Sequence, residues 1–448
     1  MEIRKLEYLI NSWLRSNVRI NQLNGARYYS GQHDILRKER KSIDPDGKLR
    51  AVDNLVNSKI TDNQYSKMVD QKTNYLLAKK PTFNCENEKI KELFGSKFLK
   101  LLRNLGENAL NNGLAWLYPY FDSKGSLKFK QFNASEILPI WKDNDKEELE
   151  LAIRLYEIME FEGNELKAKK KVEVYSNNGV DFFNWENGRL KENGHQDYVI
   201  LGVDKYNWEK VPLIAFRSNS LEQPLICRVK CLQDALNEIL SKFQDNMMED
   251  AGTSILILTN YDGENLGEFR RNLATYRAVK VSNMDGGGKG GLDKLTIEVN
   301  AENYELIIRL LKKAIIENAR GFDSKDDRLG GNPNEMNIQS MYSDIDLDAN
   351  QMEVEFQAAF EELMWFINVA FRTDEKLEVV FNRDVLVNEA ETIVNCNQSS
   401  TLLSLETVLS QHPWVSNVEE ELKKIKKQKQ ENIEGEYAGV LNTPDDNE

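Results

Sequence analysis

Cysteine is scarce in this chain: of 448 residues four are cysteine, Cys85, Cys227, Cys231 and Cys396. No two have CxxC spacing, so neither a disulfide framework nor a zinc cluster is indicated, and a reducing compartment fits best. No apolar run approaches the roughly 20 residues that span a bilayer. The amino terminus, MEIRKLEYLINSW, lacks the long apolar centre of a signal peptide, so a soluble protein made in the cytoplasm is expected. Histidine occurs three times, as His33, His195 and His412, in three separate segments without a HExxH or triad-like neighbourhood. Structural or surface roles are their default. An excess of positive charge is missing too: 59 basic against 73 acidic residues leave a net charge of −14. That argues against a protein that grips nucleic acid by neutralising phosphates, though not against one that DNA merely passes.

The patterning that is present predicts an α+β chain, predominantly helical, with more than one core, since single cores stop growing at roughly 250 to 300 residues. Up to residue 115 the chain reads mostly helical. The clearest case is DNLVNSKITDNQYSKMVDQKTNYLLAKK, with Leu55, Ile60, Met68, Val69, Tyr75 and Leu76 on one face and Pro81 as its stop. Alternating runs follow: AWLYPYFD and SLKFKQF as a hairpin, then LAIRLYEIMEF, KKVEVYS and VDFFNW, with turns at Asn177-Asn178-Gly179 and Glu186-Asn187-Gly188. From Pro224 a helix is predicted to about Asp250. Leu225, Val229, Leu232, Leu236, Ile239, Phe243 and Met247 form its stripe at alternating three- and four-residue steps. SILILT, YRAVKV and LDKLTIEV read as strands and NLGEFRRNLA as a helix of a small inserted module. A second striped helix carries Tyr304, Ile308, Leu311, Ile315, Ala319 and Phe322. A helical stretch from Glu335 to Arg372, bent at Asp344, Asp346 and Asp348, precedes a strand at KLEVVF. The last residues, ending NTPDDNE, read as disordered.

Several motifs invite chemistry and are weaker than they look. The loop Gly286-Gly287-Gly288-Lys289-Gly290-Gly291 suggests a nucleotide-binding enzyme. A phosphate loop, however, needs Ser or Thr after the lysine and a helix next, and here a strand follows. Cys227 and Cys231 lie four apart without a third ligand and read as buried or half-buried thiols. Asp323, Asp326 and Asp327, with Asp344, Asp346 and Asp348 downstream, lack the EF-hand pattern. No metal and no cofactor is expected. LKKIKKQK follows Glu419-Glu420-Glu421 and reads as the basic end of a solvated helix. The insert GFDSKDDRLGGNPN, at 321–334 between the two long helical segments, read alone is a solvated linker.

In their order along the chain, several segments resemble the portal proteins of tailed bacteriophages, in the siphophage branch of Gram-positive hosts. They are YYSGQHDI at 28–35, VDQKTNYLLAKKP at 69–81, GLAWLYPYFDSKGSLKF with EILPIW, and VPLIAFRSN at 211–219. LQDALNEILSKFQDNMMEDAGTSILILTNYDG and LLSLETVLSQHPWVSNVEEEL complete the set. The resemblance implies a portal-type fold that assembles as a ring, usually of twelve subunits, around a tunnel for double-stranded DNA at one capsid vertex. Residues 1–220 would be the wing, 221–250 and 300–321 the stem helices with the clip, 251–299, between them, and 322–334 the tunnel loop. Residues 335–384 would be the long wing helix and strand, 385–434 the crown, and 435–448 a disordered tail. The stem would pack through Leu232, Leu236, Ile239, Phe243, Ile308, Leu311 and Ile315. The loop would turn Asp323, Lys325, Asp326, Asp327 and Arg328 towards the DNA, a net charge of −1 per subunit, with Gly330 and Gly331 giving it freedom and Pro333 limiting it. The ring would be a virion component assembled in the host cytoplasm, and not an enzyme. Its partners would be a terminase packaging ATPase, the major capsid and scaffolding proteins, and a head-completion adaptor; no membrane is implied.

Overall fold

The computed structural model describes residues 2–43, 47–51, 56–163, 165–201, 204–250, 255–259, 291–295, 301–323, 335–383, 389–415, 418, 420–428 and 430. Helices α1 (Ile3–Trp13) and α2 (Asn17–Tyr29) open the chain, followed by a short hairpin of β1 (Lys41–Ile43) and β2 (Leu49–Ala51). The helix predicted across 53–80 is shorter than its pattern. Residues 56–63 have no regular secondary structure, and α3 spans only Gln64–Leu77. Asn63 is the reason the helix starts there. Its Oδ1 accepts from the Ser66 N–H at 3.0 Å, and its amide donates to the Tyr28 carbonyl at 2.9 Å. Strand β3 (Thr82–Asn84) and helices α4 (Glu88–Leu93) and α5 (Ser96–Asn112) follow.

Two antiparallel sheets come next. Strands β4 (Leu114–Phe121) and β5 (Leu127–Phe132) form the predicted hairpin and are joined by β13 (Ile214–Arg217) in the order β13-β4-β5. The larger sheet has β6 (Ile137–Trp141), β7 (Leu149–Glu162), β8 (Glu165–Ser176), β9 (Gly179–Glu186) and β10 (Arg189–Gln196), each paired with its chain neighbour. Strand alternation sorts its two faces. Leu151, Ile153, Leu155, Val172, Val174 and Phe183 take the apolar face of α1, with Leu6, Ile10 and Trp13. Ala152, Tyr175 and Val180 face Trp116 and Phe132 of the smaller sheet. A small pair, β11 (Val199–Leu201) and β12 (Asp204–Tyr206), precedes β13.

Helix α6 (Ile226–Asp250) and helix α7 (Ala301–Asn318) pack against each other on either side of a strand pair, β14 (Ile255–Thr259) with β15 (Gly291–Leu295). Phe243, late in α6, meets Tyr304, early in α7, with ring centroids 4.9 Å apart, so the two helices run antiparallel. Helix α8 (Glu335–Phe371) is continuous for 37 residues, about 56 Å at 1.5 Å per residue. The aspartates expected to bend it do not interrupt it. Asp346 and Asp348 are drawn into ion pairs with neighbouring elements and so do not compete for the helix backbone. Its buried side chains Met341, Tyr342, Ile345, Ala349, Met352, Phe356, Phe360, Leu363 and Ile367 make it the spine of the largest core. There the Phe216 ring lies edge-on to Phe356 and Phe360. Strand β16 (Glu378–Val380) returns to pair with β3, and helices α9 (Glu389–Ser399) and α10 (Leu405–Gln411) follow.

Candidate functional site at the helix junction

The end of α7 is where the predicted loop begins, and the chain there is held unusually firmly. The Arg320 N–H donates to the Glu317 carbonyl and the Gly321 N–H to that of Ile316, at 3.0 and 2.8 Å. This is the bond pattern of a Schellman cap, with Arg320 at the left-handed position, φ 50°. Glycine is the usual residue there; it stands one position later for a different reason. A Cβ on Gly321 would lie 2.4 Å from the Met68 sulfur. Gln71 of α3 then reads both backbone groups of Phe322, donating to its carbonyl at 2.6 Å and accepting from its N–H at 2.8 Å. The Phe322 ring stacks on Tyr342 of α8 at 4.5 Å, and Tyr342 on Tyr75 of α3 at 5.5 Å.

Asp348 lies at the centre of this junction. Its Oδ2 accepts from Lys72 of α3 at 2.8 Å and Arg228 of α6 at 2.6 Å, and its Oδ1 pairs with Arg320 at 2.9 Å. Lys72, with 4 % of its side chain exposed, also donates to the Arg320 carbonyl at 2.9 Å. Burial alone would raise the Asp348 carboxyl, but Lys72 and Arg228 outweigh it and hold it below the ordinary carboxylate range. Burial also pushes the Lys72 ammonium down, against the pull of Asp348. Two residues earlier on α8, Asp346 accepts from the Tyr75 hydroxyl at 2.7 Å and from Arg383 at 2.5 Å. The three aspartates expected to bend α8 are thus divided: Asp346 and Asp348 are held in ion pairs, while Asp344 is exposed.

Of the predicted loop residues, Asp323 is described; Lys325, Asp326, Asp327, Arg328, Gly330 and Gly331 lie outside the described residues. So do Gly286 to Gly290, while Gly291 opens strand β15. A strand in that place counts against a phosphate loop, whose glycines lead into a helix. Of the residues expected to pack the two long helices, five lie in or against the largest core. Leu236 and Ile315 are fully buried, and Leu232, Ile308 and Leu311 pack against the same core. Ile239 and Phe243 are half-buried, but Met247 is exposed, so the α6 stripe does not stay covered to its end. Cys227 is half-buried, its thiol raised by burial, and Cys231 is exposed, contrary to the reading of both as covered.

Sequence reasoning missed a second, polar stripe on α6. Gln233, Asn237, Ser241 and Asp245, four residues apart, are all buried. Asp245, Ser241 and Asn237 accept from the backbone N–H groups of Ser58, Ile60 and Asp62, at 2.6, 3.0 and 3.0 Å. Gln233 accepts from the Tyr65 N–H at 3.1 Å and donates to the Asp62 carbonyl at 2.7 Å. The strap 57–63 is thereby bound along the helix through its backbone. Polar residues at this spacing ordinarily signal a solvated face, and only the extended partner reveals otherwise.

His33 closes the ladder. Its Nε2 donates to the Tyr28 carbonyl at 3.0 Å, which leaves Nδ1 to accept from the Asn237 amide at 2.7 Å. The ring is therefore neutral, stacked 4.5 Å from Tyr28, and burial lowers its pKa even though Asp234 pulls the other way and Arg27 assists. A lowered folded value means that His33 contributes stability above the ordinary value of 6.5, and that this is lost as pH falls through the folded value. Thermal melting between pH 7.5 and 5.5 should show a steeper acid loss for the native chain than for H33Q; parallel profiles would refute the assignment.

Helices α3, α6 and α8 and the cap of α7 are thus joined at one place by ion pairs and by side chains bonded to backbone. Among the described residues no group of His, Cys, Asp or Glu is arranged to hold a metal, and no described helix is long and apolar enough to cross a membrane. The family model "Phage portal protein, SPP1 Gp6-like" matches residues 6–435, and the chain belongs to that family. It is similar to the portal protein of Bacillus phage SPP1, 28% identical over 426 residues that cover 91% of this chain and 83% of the relative. It is likewise similar to the portal protein of Clostridium phage phiCD119, 28% identical over 453 residues covering 94% of each.

Proposed function

We propose that this chain is the subunit of a ring-shaped channel at one vertex of a tailed-phage head, through which double-stranded DNA enters during packaging and leaves during ejection. Family membership supports the role, and one observation carries the assembly. Helix α7 buries one face in the subunit while Leu306, Ile307 and Leu310 on another stand 44, 42 and 56% exposed. Met247 and Met248 of α6 are open as well, at 51 and 54%. An apolar patch along a helix pair is what a neighbouring copy would cover. In this reading α6 and α7 are the stem and residues 251–299 the clip, where a packaging ATPase docks first and a head-completion adaptor later. The sheets, α3, α5 and α8 form the wing, which meets capsid and scaffolding proteins, and residues from 385 to 434 form the crown. The segment 322–334 is the tunnel loop, and the subunit number is twelve.

Class averages of negatively stained protein should show rings with a central opening. Replacing Leu306 and Leu310 together by Asp should raise the concentration needed for assembly at least about tenfold by removing buried apolar area and inserting charge. Compact monomers alone, under conditions that favour assembly, would refute the channel, and unchanged assembly by the double variant would refute the stem contact.

A further inference from the structure

We infer that Asp348 is the positioning residue for the turn at 320–323: it fixes the direction in which the chain leaves α7 by tying α3, α6, α8 and the cap of α7 at one point. The inference deepens the channel reading, and its consequence for DNA rests on that reading; the geometry does not. A single carboxylate accepts from Lys72 of α3, Arg228 of α6 and Arg320 in the cap past α7. Arg320 is the residue whose left-handed backbone turns the chain out of α7, and Lys72 also holds its carbonyl. Side chain and backbone of the turning residue are therefore fixed to the same pair of groups. Gln71, next to Lys72, holds the residue after Gly321 by both its backbone groups. A shift of α6 or α7 along α8 would strain this cluster, so the turn at 320–323 is tied to the positions of the helices.

The cluster is asymmetric, and that makes the inference testable. Removing Asp348 leaves three cations facing one another, whereas removing Arg228 leaves a satisfied carboxylate. A buried anion that organises several cations serves geometry more than stability, because such clusters often contribute little net free energy to folding. The measurement is limited trypsin digestion of the assembled full-length chain, with cleavage followed by mass spectrometry. Lys325 and Arg328 follow the turn in sequence, and Lys124, exposed in the turn between β4 and β5, is the reference.

D348N should raise cleavage at Lys325 and Arg328 about tenfold relative to Lys124, and R228M about threefold, in line with local rather than global opening. An unchanged ratio, or equal acceleration at all three sites, would overturn the assignment. If D348N fails to fold, R228M decides alone: a ratio equal to that of the native chain overturns it. No DNA enters the assay, so failure of the channel reading would appear in the micrographs, and failure of the anchor only in this ratio.

Discussion

Deleting residues 324–332 is expected to leave rings that form normally and heads that hold no DNA. The deletion spares every contact at the junction, because the cap at Arg320, the Gln71 clamp on Phe322 and the Asp348 cluster all lie outside it. It can also close. Phe322 stacks on Tyr342, seven residues into α8, or about 10 Å from the start of that helix. The residues that remain, Asp323, Pro333 and Asn334, give four Cα–Cα links with a reach of up to about 15 Å. Folding and assembly should therefore survive while the residues proposed to face the DNA are lost. The deleted charges with Asp323 leave −1 per subunit. A surface of that balance repels a polyanion weakly and offers no strong phosphate site, as a sliding contact requires. Nuclease-resistant DNA per purified head should fall at least about a hundredfold, far beyond what one lost charged contact could produce. Heads filled and sealed at native levels would remove the loop from the mechanism.

N237L is expected to cost about 3–5 kcal/mol of stability, more than most single substitutions, because it orphans several buried groups at once. Asn237 accepts from the Asp62 N–H and from Gln233 and donates to His33. Leucine fills the volume and satisfies none of them. The strap would lose its central rung, so hydrogen exchange at residues 58–62 should speed up by orders of magnitude together with the fall in melting temperature. N237D separates the contributions. It keeps both acceptor contacts and offers His33 a carboxylate, which raises the histidine's pKa and makes its charged form the favoured partner. That contribution is present below the unfolded value of 6.5 and is lost as pH rises through the raised one. N237D should therefore be milder than N237L and most nearly native at acid pH. Equal losses for both variants at all pH values would show that the ladder contributes only packing.

Much of the fold was legible because it rests on repeated apolar spacing. The α6 and α7 stripes, the β4–β5 hairpin and the β7–β9 strands each announce themselves by periods of about 3.6 or 2. The failures at residues 62–63 and at the α8 aspartates share one cause, a polar residue whose partner is remote in sequence. Asp62 and Asn63 continue a helical pattern until Asn237 and Tyr28 claim their bonding groups, and so the predicted helix lost its first two turns. Asp346 and Asp348 looked like helix-bending acids because Arg383, Lys72 and Arg228 lie far along the chain. The junction was legible only as a place where two helical patterns meet; its chemistry was not, since no local spacing encodes an ion cluster shared by three helices and a cap.

The ladder on α6 works as a vernier. Four helical residues advance about 6.0 Å and two extended residues about 6.7 Å, so the rungs drift by roughly 0.7 Å each and the match lasts only a few. Three rungs in the strap and a fourth at Tyr65, already in α3, use up that tolerance. The strap therefore cannot slip by one residue without presenting carbonyls where N–H groups are wanted, nor extend far without falling out of phase. Because α6 binds backbone, positions 58 and 60 should accept nearly any side chain in a saturation scan, whereas Asp62 also pairs with Lys312; proline, which has no N–H to give, should be rejected at all three.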